Sequence, residues 1–132
     1  MASEEKIFFT YNQIHNTIKK VAYQISESGY NPDIIVAIGT GGFIPARIIK
    51  TYLNKPILTV GLKLYDENNK PKDSPEKIQW IDEVEKKLKG KRILLVDDNP
   101  INIQVAKELL EHSGAVVHAA KSGAKALILL SE

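Results

Sequence analysis

The stretch "ILLVDDNPIN", Ile93 to Asn102, decides the fold. Four apolar residues run without alternation into two adjacent carboxylates, Asp97 and Asp98. Such a run reads as a strand covered on both faces. Asn99 and Pro100 then open a helix. Asn is a strong N-cap, and Pro suits the first helical position because its missing N–H would have had no partner there. A covered strand passing straight into a helix is a unit of an open, mostly parallel sheet. Ligands of such sheets bind beyond the strand C-termini, where the strand order reverses. Asp97 and Asp98 are therefore candidate binding residues. A single Asp at this place would be explained by helix capping alone; two together are harder to explain that way.

Working outward, "DIIVAI" (33–38) and "PILTVGL" (56–62) are two more covered strands, and "AVVHAA" (115–120) is another. Between them lie helical patterns. Thr10 and Gln13 form a capping box, with Phe9 and Ile14 as a hydrophobic staple, and open a helix over 11–28 that Gly29 stops. "FIPARIIKTYL" (43–53) is a helix with Pro45 in its first turn. Residues 100–114 form another, and "GAKALILLSE" (123–132) is expected to close the chain as a helix. "EKIQWI" (76–81) reads as an additional strand. Asp82 and Glu85 suggest a second capping box for a short helix ending at Gly90. The stretch from Tyr65 to Pro75, "YDENNKPKDSP", is polar and turn-rich and is expected to be mobile. The result is a single α/β domain over 1–132: three layers, α/β/α, around a mostly parallel five-stranded sheet.

Composition fits one soluble domain, with 43% hydrophobic and 26% charged residues in 132. A net charge of +2 gives no sign of a nucleic-acid partner. The absence of Cys excludes disulfides, thiolate zinc sites and Cys nucleophiles. No apolar run reaches the roughly 20 residues of a membrane span. The start, "MASEEKIFF", lacks a signal-peptide pattern, so a cytoplasmic location is expected. His15, His112 and His118 have no ligand spacing.

A second candidate site element is "IGTGGFIPAR". Thr40, Gly41 and Gly42 precede a helix, so unpaired N–H groups and the helix dipole favour an anion there. Arg47, one turn further, is placed to reinforce it. The plainer alternative is a tight turn that binds nothing. If the first and fourth strands are neighbours, this turn and Asp97–Asp98 line one crevice.

The pieces "TYNQIH", "PDIIVAIGTGGFIPARII", "VGLKLYDE", "IQWID" and "GKRILLVDD", over about 8–98, resemble the type I phosphoribosyltransferases, in particular the purine (xanthine, guanine or hypoxanthine) branch. The resemblance implies the sheet order 3-2-1-4-5 with an antiparallel third strand. It implies pyrophosphate at Thr40, Gly41 and Gly42, a closing loop over 65–75, and ribose contacts from Asp97 and Asp98. From about 93 to 130, "ILLVDDNPINIQVAKELLEHSGAVVHAAKSGAKAL" instead resembles a response-regulator receiver domain, in which the acidic pair would bind Mg²⁺. The transferase's Thr-bearing phosphate loop has no counterpart, since no Thr follows Thr59. The receiver's phosphoacceptor Asp has none either, since Glu132 is the only acidic residue after Glu111.

The expectation drawn from both is a hybrid, engineered α/β protein without a complete catalytic site. It would retain at most weak phosphate, sulfate or phosphoribosyl-pyrophosphate-like anion binding, and weak Mg²⁺ at Asp97 and Asp98. One alternative is a purine phosphoribosyltransferase that makes nucleotides from phosphoribosyl pyrophosphate. A second is a phosphorelay receiver module.

Overall fold

The apolar runs become strands of one sheet. In the computed structural model the residues described are 10–97, 99–121 and 128–130. The elements follow as α1 (Tyr11–Ser28), β1 (Ile34–Ile38), α2 (Phe43–Leu53), β2 (Ile57–Tyr65), β3 (Pro71–Gln79), α3 (Val84–Leu88), β4 (Arg92–Asp97), α4 (Pro100–His112), β5 (Val116–Lys121) and β6 (Ile128–Leu130). The sheet order is β3-β2-β1-β4-β5-β6. Pairings β1–β2, β1–β4 and β4–β5 are parallel, while β2–β3 and β5–β6 are antiparallel. The expected order 3-2-1-4-5 is thus present, with β6 added at one edge.

Local chemistry explains the well-defined ends. The Thr10–Gln13 capping box forms in both directions, and Gly29 ends α1 in the left-handed conformation. The staple partner Phe9 lies outside the described residues. Asn99 caps α4, with Pro100 in its first turn as expected.

Three expectations need correction. Residues 128–130 form a strand, not part of a helix: a short apolar run has no period that distinguishes the two, and the edge of β5 was open to pair with it. Residues 122–127 of that expected helix lie outside the described set. The stretch 65–75 is largely strand, because β3 starts at Pro71 and pairs with the end of β2; only the turn around Asp66–Lys70 remains irregular. Asp66 Oδ1 accepts from the Asn68 and Lys70 amides and tightens that turn. Pro71 and Pro75 are tolerated because β3 is an edge strand, where a missing N–H need not interrupt a ladder on both sides. Finally, Asp82 does not cap α3. The chain enters through Glu83 in the left-handed region, and no side chain closes the first turn.

Two cores cover the two sheet faces. Ile18, Val21 and Ile25 of α1 and Ala46 and Ile49 of α2 pack on Ile35, Ala37, Leu94 and Val96. Leu88 of α3 and Ile103, Ala106 and Leu110 of α4 pack on Val36, Ile38, Val60, Ile93 and Leu95. This is the expected three-layer α/β/α arrangement. At the lower end Tyr30 ties strands together: its hydroxyl donates to the Ile93 carbonyl at 2.8 Å, and its ring stacks on His118 at 3.9 Å. Among the described residues no helix is long and apolar enough to cross a membrane.

Candidate functional site

The connection from β1 runs to β2 on one side, and β4 then pairs on the other side of β1. The order reverses between β1 and β4, so a crevice is expected above their C-terminal ends. The sequence-predicted turn and acidic residue both lie there.

Strand alternation decides which way Asp97 points. Ile93 and Leu95 face α4, whereas Leu94 and Val96 face α1 and α2. Asp97 continues the first set. It is only 2% exposed. A carboxylate so buried needs donors. One is the Asn102 side-chain amide, whose Nδ2 donates to Asp97 Oδ2 at 3.1 Å. An ionised carboxylate only accepts, so the nitrogen of Asn102 must be the atom that faces it. Asp98 lies outside the described residues.

The glycine turn is fitted to β4. Gly39 N–H donates to Val60 O at 2.7 Å and extends the β1–β2 ladder by one step. Gly42 N–H turns back to Ile38 O at 2.8 Å. The Gly39–Thr40 peptide is cis. Gly42 has φ −86°, which any residue can adopt, so its role is spatial. A Cβ there would press on the Val96 carbonyl oxygen and lie 2.8 Å from Ile38 O. The turn therefore rests on the last peptide of β4 before Asp97. The two predicted halves of the site are in direct contact through Gly42.

Helix starts differ in a way that bears on anions. Side chains close the first turns of α1 and α4, but none closes that of α2. Thr40 and Gly41 are exposed. Among the described residues nothing accepts a hydrogen bond from their amides. These amides are open to solvent at the approach to α2. The start of α4 is satisfied internally: Asn99 Oδ1 accepts from Ile101 N–H at 2.9 Å and Asn102 N–H at 3.3 Å, and Asn99 O accepts from Ile103 N–H. Arg47 is exposed and donates to Thr51 Oγ1 at 3.1 Å, one turn further from the glycine turn. Its guanidinium is thus directed along α2 rather than at the expected anion.

Among the described residues no group of three His, Cys, Asp or Glu side chains is placed to hold a metal. His15 pairs with the Tyr52 hydroxyl at 2.9 Å, and His118 lies under Tyr30. Trp80 packs against the core with Lys77 Nζ 4.8 Å from its ring centre. The contact between Asn102 and Asp97 is the one that sequence reasoning missed. Its signal was weak: a polar side chain one turn into a helix, on the side that faces the strand end.

A family model described as the phosphoribosyl transferase domain matches residues 10–99. The chain belongs to that family. It is 40% identical over 110 residues to a hypoxanthine-guanine phosphoribosyltransferase of Schizosaccharomyces pombe, which covers 70% of this chain and 52% of that protein. The crystal structure of a purine phosphoribosyltransferase from Pyrococcus horikoshii superposes with a TM-score of 0.74 at 27% identity, covering 89% of this chain and 76% of that one. A shorter likeness, 49% identity over 45 residues, links 34% of this chain to 5% of a probable histidine kinase of Oryza sativa. The chain spans about half the length of the curated transferases it matches.

These findings overturn the expectation of an engineered hybrid without a catalytic site. The phosphoribosyl transferase match runs unbroken from α1 through β4, and it includes both the glycine turn and the acidic pair. The pieces were expected to be incomplete because the segment after Asp98 departs from the family pattern. The glycine turn nevertheless packs on the end of β4 within the matched span, and the similar curated proteins are purine phosphoribosyltransferases, so the purine-transferase alternative accounts better for the chain.

Proposed function

We propose that the chain is the phosphoribosyl pyrophosphate-binding core of a purine phosphoribosyltransferase, acting on xanthine, guanine or hypoxanthine. In this assignment the exposed amides of Thr40 and Gly41 receive the pyrophosphate at the start of α2, and Gly42 sets their distance from β4. Asp97 and Asp98 take the ribose hydroxyls. In the reaction a bond forms from a purine ring nitrogen to the anomeric carbon, and the bond from that carbon to pyrophosphate breaks. The purine proton leaves to solvent or to a base.

Donors aimed at the pyrophosphate stabilise the charge that develops on it as it departs, which is where such groups contribute most. Mg²⁺ belongs with the diphosphate. This ion is commonly held by one or two carboxylates together with substrate phosphates and water rather than by a protein cage. Asp97 fits that pattern as one carboxylate beside the diphosphate position. Bound Mg²⁺ would neutralise part of the diphosphate charge.

The observation that supports the assignment most is the Gly42 contact with the Val96 carbonyl, since it joins the anion turn to the acidic strand end within the family-matched span. A cytoplasmic location goes with soluble substrates of this kind. No phosphorelay is proposed from the likeness to a histidine kinase, which covers 34% of this chain and 5% of that protein.

The test is incubation with phosphoribosyl pyrophosphate, Mg²⁺ and each of the three purines, with chromatography of the products and calorimetric titration of the sugar diphosphate. Nucleotide from at least one purine is expected. No heat at millimolar ligand and no nucleotide from any purine would reject the assignment.

A further inference from the structure

The buried Asp97 carboxylate has a partner that the family pattern did not suggest. We propose that Asn102 is a positioning residue, which fixes the rotation of the Asp97 carboxylate and so the orientation in which it meets a ribose diol. The inference rests on the phosphoribosyl pyrophosphate assignment above.

Three observations carry it. Strand parity puts the Asp97 side chain on the α4 face of the sheet, at the C-terminal end of β4. Asn102 Nδ2 meets Oδ2 there at 3.1 Å in a partly buried setting, where a hydrogen bond to a charge is stronger than at the surface. Asn102 is itself held, because its amide N–H is one of the two capped by Asn99 Oδ1. The chain Asn99–Asn102–Asp97 therefore transmits the start of α4 to the carboxylate. A carboxylate rotates about a soft, two-fold torsion. Fixing one oxygen removes that freedom before the ligand arrives, which is how supporting hydrogen bonds improve a binding group.

The test compares two ligands across variants of the full chain. Asn102→Asp keeps the shape but replaces the donor with a second carboxylate against Asp97, a like-charge contact that the favourable helix-start position offsets only in part. Asn102→Gln keeps the donor. Calorimetry is run with Mg²⁺ plus phosphoribosyl pyrophosphate, and separately with Mg²⁺ plus inorganic pyrophosphate, which has no ribose. The expected result is sugar-diphosphate binding about tenfold weaker or more in Asn102→Asp. Partial recovery is expected in Asn102→Gln, and pyrophosphate affinity should stay within about twofold of the parent in both. If Asn102→Asp does not fold, Asn102→Ala carries the same comparison. Equal sugar-diphosphate affinity in parent and variant would overturn the positioning role. An equal loss for both ligands would overturn it too, since the effect would then be general. A parent chain that binds pyrophosphate but not the sugar diphosphate would instead reject the functional assignment on which the inference stands.

Discussion

Replacing Gly42 with Ala tests the architecture of the site directly. The added Cβ would lie 2.8 Å from Ile38 O and 2.9 Å from Ile38 N, and closer still to Val96 O. Ordinary contact begins near 3.4 Å, so the Ile38 oxygen alone requires a shift of roughly 0.6 Å. All three neighbours are backbone atoms of β1 and β4, the central pair of the sheet, and cannot rotate aside. Either the turn lifts off β4 or the two strands part. Overpacking of this kind costs about 1–3 kcal/mol. The turn carries the Thr40 and Gly41 amides, so lifting it also displaces the anion donors. Gly61→Ala on β2 is the control, because its nearest neighbours lie at 3.8 Å and a methyl fits. Urea unfolding should show Gly42→Ala destabilised by about 1–3 kcal/mol and Gly61→Ala within about 0.5 kcal/mol of the parent. Pyrophosphate titration should show weakened binding in the first only. Gly42→Ala with parental stability and parental pyrophosphate affinity would refute the reasoning, since the turn would then not rest on β4.

Asn99→Ala removes the acceptor for two amides of α4 and should lower stability by about 1 kcal/mol in thermal or urea unfolding. Tyr30→Phe removes the hydroxyl bridge to Ile93 and should cost about 1 kcal/mol. Burial pushes the Tyr30 phenol from its ordinary 10.0 up to about 12. A raised folded value means that this contribution is complete below pH 10 and is lost as the pH climbs toward 12, which a phenolate absorbance titration beside unfolding curves will show. At Asp33 the backbone N–H and then the guanidinium of Arg92 hold the carboxyl below its ordinary 3.8. Its contribution is therefore present above that value and disappears as the pH falls below it; the pair is partly exposed, so Asp33→Asn should cost no more than about 1 kcal/mol at neutral pH and flatten the acid limb of the stability profile.

Much of the fold was legible because its signals are local. Thr10, Gln13, Gly29, Asn99 and Pro100 act on their own helix ends, and no distant contact changes them. The runs 34–38 and 93–96 are short, apolar and flanked by turn and helix-start residues, which together mark them as covered strands. What was not legible depends on partners. Residues 128–130 are a strand because β5 had an edge to offer, and 71–79 because β2 extends beyond the sheet centre as far as Tyr65. Asp82 looked like a cap, but the local path from β3 into α3 places Glu83 there. The contact of the glycine turn with the β4 end, and the place of Asp97 there, followed from the rule for strand ends. Asn102 required knowing that α4 covers the face on which Asp97 falls. The direction of Arg47 depends on its contact with Thr51, which no spacing in the sequence reveals.

The pairing of β1 with β4 also bears on how the molecule assembles. The hairpin of β2 and β3 is local and can close within microseconds. The junction that creates the crevice joins segments 59 residues apart, as at Asp33 and Arg92. Closing so long a loop is slow relative to local structure, because its entropy is lost before its contacts form. Until then the glycine turn has no β4 to rest on, and the acidic residues belong to a separate stretch of chain. If the site is the proposed one, pyrophosphate binding should return on refolding with the β1–β4 pairing rather than with the helical signal. A ligand held as proposed, by both the glycine turn and β4, opposes unfolding at the seam between β1 and β4.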